Sequence, residues 1–226
     1  MSEDSIIRIL LDLDSTTLSY EPNYENAIKT LLSHGILSPS SFYPIKPFTV
    51  IEFLREISQR LDHIKHKGRE FINNLCRMII KDELISTERA TLRFDPGELV
   101  KRLKAKDMRI LICGFSALSG IAVRKVLQKF ALVSVFDHVY GRSMILRPPK
   151  LDDLLYTKQE SPSSIINFVV TGDELILKEF KGFRGPNLKV IATPTHPTKI
   201  RNLIYGRPDY FVISLYELVD IIDLIR

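Results

Sequence analysis

Two spacings of apolar residues alternate along most of this chain. Short runs rich in Ile, Val and Phe stand at 6–12, 109–113, 136–140, 166–171, 188–192 and 210–213. Most lack the polar alternation of a half-solvated strand, so the pattern predicts strands covered on both faces. Between them the apolar positions recur at helical spacing. "FDPGELVKRLKAK" opens a helix with Asp95 as N-cap and Pro96 at its first position. A second helix is predicted in "SALSGIAVRKVLQKF", and a third from "SLYELVDIIDLI", where Ser214 and Glu217 have capping-box spacing. Strand–helix alternation of this kind implies an α/β fold: a Rossmann-like, doubly wound parallel sheet.

Residues 20–90 break the alternation. "NYENAIKTLLSHGIL", "FTVIEFLREISQRL" and "GREFINNLCRMIIKDEL" read as three amphipathic helices, with "SPSSFYPIKP" as the loop joining the first two. The expected organisation is therefore a core of residues 1–19 and 91–226, with a helical domain of residues 20–90 inserted after the first strand.

Composition narrows the function classes. The chain has 226 residues, 45% hydrophobic and 26% charged, which suits one globular unit with an insertion. No apolar run is long enough to span a bilayer, and "MSEDSIIRIL" lacks the features of a signal peptide. A cytoplasmic protein with no membrane association is expected. The two cysteines, Cys76 and Cys113, fall in no zinc or redox spacing. The net charge of +5 is spread among acidic residues. It reads as solvated helix faces rather than a nucleic-acid surface, and it suits an anionic small substrate.

The chemistry concentrates in "RILLDLDSTT", where a strand runs into Asp12 and Asp14. Ligands of open α/β sheets bind beyond the C-terminal ends of the strands. An aspartate there can accept a phosphoryl group, and a second can protonate the leaving oxygen and then activate water. A divalent cation would relieve the repulsion between the two. Thr16, with Ser15 and Thr17, offers hydroxyls and backbone N–H groups in the following turn. Taken alone, the pair is read equally well as a solvated end of the sheet.

"LLDLDSTTL" resembles the first motif of the haloacid dehalogenase superfamily, whose members are mostly phosphohydrolases. "FDPGELVKRLKAKDMRILICGFS", "VLQKFALVSVFDHVYGRS", "FVVTGDE" and "GRPDYFVISLYELVDII" resemble the later segments of that family in the same order, and 20–90 falls where one branch carries a helical cap. The resemblance implies Asp12 as nucleophile and Asp14 as general acid and base. It implies Mg2+ held by the Asp12 carboxylate, the Asp14 carbonyl and Asp173. The haloalkanoate-cleaving members lack the second aspartate and need no metal, so Asp14 argues for a phosphatase acting on a small phosphorylated molecule.

The chain also departs from the pattern. The second-motif Thr or Ser falls by counting at Gly114, or at Cys113 with a shift of one, and Ser116 just beyond is its substitute in binding phosphate. Lys150 is expected as the third-motif cation, with Arg147 as its rival. The second acid of the fourth motif is missing at Leu177 and Lys178, and Glu174 is expected to replace it as a metal ligand. With two motifs altered, a binding or regulatory protein that keeps the fold without turnover is the alternative. A phosphomutase or phosphotransferase would share the nucleophile and differ in acceptor. His63 and His66 read as a solvated polar face, and His196 as part of a turn. Tyr20 and Tyr24 stand where the chain enters the insertion, either packing there or touching substrate.

Overall fold

The computed structural model describes residues 6–38, 50–106, 109–142, 154, 165–180 and 187–225. Its centre is β1 (Ile6–Asp12), a strand buried along almost its whole length. Parallel to it run β4 (Ile110–Ser119) on one side and β6 (Ile165–Thr171) on the other. β5 (His138–Arg142), β7 (Leu188–Ala192) and β8 (Tyr210–Phe211) complete a six-stranded parallel sheet in the order β5-β4-β1-β6-β7-β8. The order reverses at β1, so the loop after Asp12 opens where ligands of such sheets bind. Burial of both faces explains the mostly apolar run of β1: Ile7, Ile9, Leu10 and Leu11 are all inside, together with Arg8.

Helices α5 (Pro96–Lys104) and α6 (Gly120–Lys129) belong to the core. So do α7 (Glu174–Phe180), α8 (Ile200–Tyr205) and α9 (Leu218–Ile225). The Asp95 carboxylate accepts from Gly97 N at 2.8 Å, and the Ser214–Glu217 capping box is formed. Both helix starts are as the sequence predicts.

The stretch after β1 is helical, as expected, but differs in detail. It holds α1 (Glu25–Ser33), α2 (Val50–Gln59), the short α3 (Leu61–His66) and α4 (Arg69–Arg89). A two-stranded antiparallel ribbon, β2 (Leu18–Ser19) with β3 (Thr91–Leu92), ties its two ends together. Two-residue strands carry no periodicity, which is why the ribbon escapes a reading of the sequence. The end of α4 is also bound to the core: Lys129 Nζ, on α6, donates to Glu88 O at 2.7 Å and Ala90 O at 2.8 Å. His63 and His66 lie exposed on α3.

The largest difference concerns β4, which continues six residues past Cys113 to Ser119. Its pairing with β5 is regular up to Phe115↔Tyr140 and resumes at Ser119↔Arg142. Four steps on β4 thus face two on β5. The bulge over 116–118 frees backbone groups from the ladder and turns them to other partners.

Candidate active site

Asp12 ends β1 and is fully buried. Its Oδ2 accepts from the hydroxyls of Ser15 and Thr171, each at 2.5 Å, and its Oδ1 accepts from Asp14 N at 3.2 Å. The next five residues, Leu13–Thr17, form one wide helical turn that brings Ser15 and Thr16 back over the strand end. Thr16 Oγ1 donates to the Asp12 carbonyl. Burial, then the charge of Asp14, pushes the Asp12 carboxyl up to about 8, although the two hydroxyls pull it down.

Asp14 is held in another way. Its carboxyl accepts from Ser116 Oγ and, at 2.7 Å, from Ala117 N, both in the β4 bulge. Burial raises it to about 6, less far than Asp12, with the Ser116 and Ala117 hydrogen bonds acting against burial. The buried Tyr20 hydroxyl faces this carboxyl and Ser116, without a partner at normal hydrogen-bond geometry.

Asp173 precedes α7 and caps it, its Oδ1 accepting from Leu175 N at 2.7 Å and Ile176 N at 3.2 Å. It stands near enough that its charge adds to the cost of ionising both Asp12 and Asp14. Ser15 joins the two segments, since Gly172 N donates to its Oγ at 2.8 Å. A side chain at Gly172 would meet Thr193 O at 2.6 Å and Ser15 O at 2.9 Å, so only glycine lets these backbones approach.

The other expected residues divide. Ser116 reaches the acid pair because β4 overruns its apolar stretch. Gly114 does not reach it: it pairs with Leu11 and Val139 inside the sheet, and a Cβ there would strike Leu13 Cδ1 at 2.9 Å. Packing against Leu13 accounts for Gly114. Glu174 turns away to an ion pair with Lys178, one helical turn on. Lys150 and Arg147 lie outside the described residues. His196 caps the short turn at Pro197–Lys199 and is exposed, as a turn residue should be. Thr171 and the Ala117 N–H are new to the site. Thr171 ends a strand two residues before Asp173 and so shares its end of the sheet, a signal that could have found it. A backbone N–H freed by a bulge has no such signal.

Solved structures share this architecture. A hydrolase of Streptococcus pneumoniae, a haloacid dehalogenase-like family protein, is 17% identical with a TM-score of 0.60, over 98% of this chain and 100% of that one. A Bacteroides fragilis protein described as a haloacid dehalogenase-like hydrolase is 15% identical with a TM-score of 0.63, over 93% and 98%. The L-2-haloacid dehalogenase of Xanthobacter autotrophicus, with chloropropionic acid covalently bound, is 11% identical with a TM-score of 0.53, over 96% and 98%. This is the haloacid dehalogenase-like fold. No protein-family model and no curated protein matches the sequence itself.

Proteins of this fold raise the question of magnesium, and the donors can be tested for fit. Among the described residues no three His, Cys, Asp or Glu side chains converge as a metal-binding group. The Asp14 carboxyl is bonded by Ser116 and Ala117. What remains is Asp12, Asp173 through the oxygen its cap bonds leave unused, and the Asp14 carbonyl. All are hard oxygen donors, and two are anionic, a set that suits magnesium with water completing its shell. The Asp14 carbonyl also accepts from the exposed Arg93 Nη1 at 3.2 Å, which leaves its second lone pair for an ion. The Asp12 carboxyl fits this set: it is buried and raised, and it is bonded by two hydroxyls and one backbone N–H with no basic side chain bonded to it among the described residues. No helix among the described residues is long and apolar enough to cross a membrane.

Proposed function

We propose that the protein is a magnesium-dependent phosphatase acting on a small phosphorylated molecule, with Asp12 as nucleophile and Asp14 as general acid and base. The observation that carries this reading is the contrast within the pair. Asp12 is sealed at the end of the central strand, while Asp14 is held by Ser116 and Ala117 with its proton affinity close to neutral. A group that must give a proton in one step and take it back in the next works best when its pKa is near ambient pH.

In the first step a carboxylate oxygen of Asp12 bonds to phosphorus as the ester P–O bond breaks. Asp14 passes its proton to the departing alkoxide. In the second step Asp14 takes a proton from water, the water oxygen bonds to phosphorus, and the bond from phosphorus to Asp12 breaks. Inorganic phosphate leaves and both acids regain their starting forms. Asp12, Asp173 and the Asp14 carbonyl would hold the magnesium ion, whose charge favours ionised Asp12 and offsets that of the phosphoryl group. Lys150 keeps its role in neutralising phosphate charge on the strength of the resemblance. The helices of residues 20–90 act as the cap. Phe53 of α2 stacks on Tyr24 at 4.2 Å, and Arg55 of α2 pairs with Glu179 of α7, so α2 spans from the entry of the insertion to the helix that Asp173 caps.

The test is hydrolysis of an aryl phosphate with and without magnesium, beside Asp12→Asn. Turnover should need the metal and fall about a thousandfold or more in the variant. A folded protein with no turnover over a broad panel of phosphate esters contradicts the proposal and leaves the binding role. Transfer to sugar hydroxyls outpacing transfer to water would make it a phosphotransferase.

A further inference from the structure

Asp14 is gripped by a stretch of backbone that the sheet does not hold. The ladder between β4 and β5 lapses between Phe115 and Ser119, so Ala117 has no strand partner to direct its N–H at the carboxyl. A second buried cluster does that. Arg142, the last residue of β5, donates from Nε to Ala117 O at 3.1 Å. Its Nη2 pairs with Glu83 of α4, and both side chains are wholly buried. Glu83 Oε2 accepts from Ser119 N at 2.9 Å, and its Oε1 accepts from Tyr24 OH at 3.2 Å. Arg142 thus takes the carbonyl, and Glu83 the amide, at the middle and end of the bulge. Gly141 seats Arg142: a Cβ there would meet Gly120 Cα at 2.6 Å, so β5 lies directly against the start of α6.

We infer that Glu83 and Arg142 are positioning residues for the acid step: the pair fixes the bulge from which Ser116 and Ala117 present Asp14 to the leaving group. A buried ion pair is a poor means of stabilising a core, because apolar residues of similar volume commonly do as well. What this pair supplies, and apolar residues cannot, is hydrogen bonding to two backbone groups of one irregular turn. It also links that turn to α4 of the insertion and, through Tyr24, to the chain entering the insertion. The inference rests on the phosphatase reading, and the experiment separates the two.

The experiment uses the full chain. The double variant Glu83→Gln/Arg142→Met removes both charges together and strands neither. Tyr24→Phe removes one hydrogen bond to Glu83 without altering charge. Hydrolysis is compared for 4-nitrophenyl phosphate, whose leaving group departs without a proton, and an alkyl phosphate, glycerol phosphate, whose leaving group requires one. In the double variant the single-turnover rate of ester cleavage, the step that precedes the action of Asp14 as base, should fall about a hundredfold for the alkyl ester and less than about fivefold for the nitrophenyl ester. Tyr24→Phe should show the same selective loss on a smaller scale. Equal losses for the two esters, or none, overturn the inference.

Amide hydrogen exchange in the metal-free protein gives a reading independent of turnover. Ala117 N–H should exchange at least about tenfold faster in the double variant while the amides of β1 keep their protection. An Ala117 N–H protected as in the wild type overturns the inference. If the wild type hydrolyses no phosphate ester, the phosphatase reading falls, and the exchange measurement still decides whether the pair holds the bulge.

Discussion

Asp12 and Glu83 are both completely buried, one at each end of the hydrogen-bond network that runs through the β4 bulge, and the protein treats them differently. Glu83 carries its own cation, Arg142, and spends its remaining acceptor capacity on Tyr24 and Ser119 N. Asp12 is bonded by two hydroxyls and one backbone N–H, with no basic side chain bonded to it among the described residues. Two more acids, Asp14 and Asp173, work against its ionisation. One carboxylate thus has its cation within the scaffold, while the other has no cation bonded to it among the described residues. A protein that buries an uncompensated acid gives up stability there, and recovers it when a cation binds the folded state.

The comparison can be sharpened by removing one partner from each cluster. Arg142→Met strands the Glu83 charge and should cost about 3–5 kcal/mol in chemical denaturation. Asp12→Asn should act in the opposite direction, stabilising the metal-free protein at pH 8 by roughly 2–4 kcal/mol. Destabilisation by both would mean that Asp12 is a structural group like Glu83.

The pH dependence follows from the same shift. The folded-state value of Asp12, about 8, lies above its ordinary 3.8, so the fold binds that proton more tightly than the unfolded chain does. The resulting stabilisation is full below the ordinary carboxyl range and is lost as pH rises towards 8. Subtracting the Asp12→Asn curve from that of the wild type should isolate this falling slope, with a smaller fall from Asp14 ending near pH 6 in both. Next in size is magnesium itself. At a hundred times its dissociation constant it should stabilise the wild type by about 2.7 kcal/mol, more at pH 8 than at pH 5, and Asp12→Asn far less. The smallest effect is that of Thr171→Val. Loss of one hydroxyl bond to the Asp12 carboxylate costs about 1 kcal/mol of support for the ionised form, read as a several-fold drop in turnover and a higher pH for its onset.

Legibility in the sequence follows the range of the interactions. Asp12, Asp14 and the hydroxyls of Ser15 and Thr16 lie within five residues at the end of an apolar run, and both the acids and their turn can be read locally. The parallel sheet is legible because burial on two faces removes polar alternation from whole strands. Asp173 is legible as an acid at another strand end. Ser116 is named from the sequence only as a substitute for Gly114, because a strand that continues through a bulge no longer shows its period and the apolar run ends before it. The Glu83–Arg142 pair is invisible at this level. Its members are separated by 59 residues, Glu83 follows the charged pair Lys81 and Asp82 in the chain, Arg142 ends a short strand, and only the fold brings the two together out of water. Glu174 shows the reverse failure: adjacency to Asp173 made it a plausible ligand, but the helix begins there and directs its side chain towards Lys178 instead.

The central claim is that Asp12 takes the phosphoryl group. Acid quenching of the enzyme during turnover with magnesium, followed by peptide mass spectrometry, tests it most directly. The account predicts a phosphorylated Asp12 that accumulates only with magnesium and disappears when substrate is exhausted. Phosphate found on another residue, or steady turnover by Asp12→Asn, would contradict it.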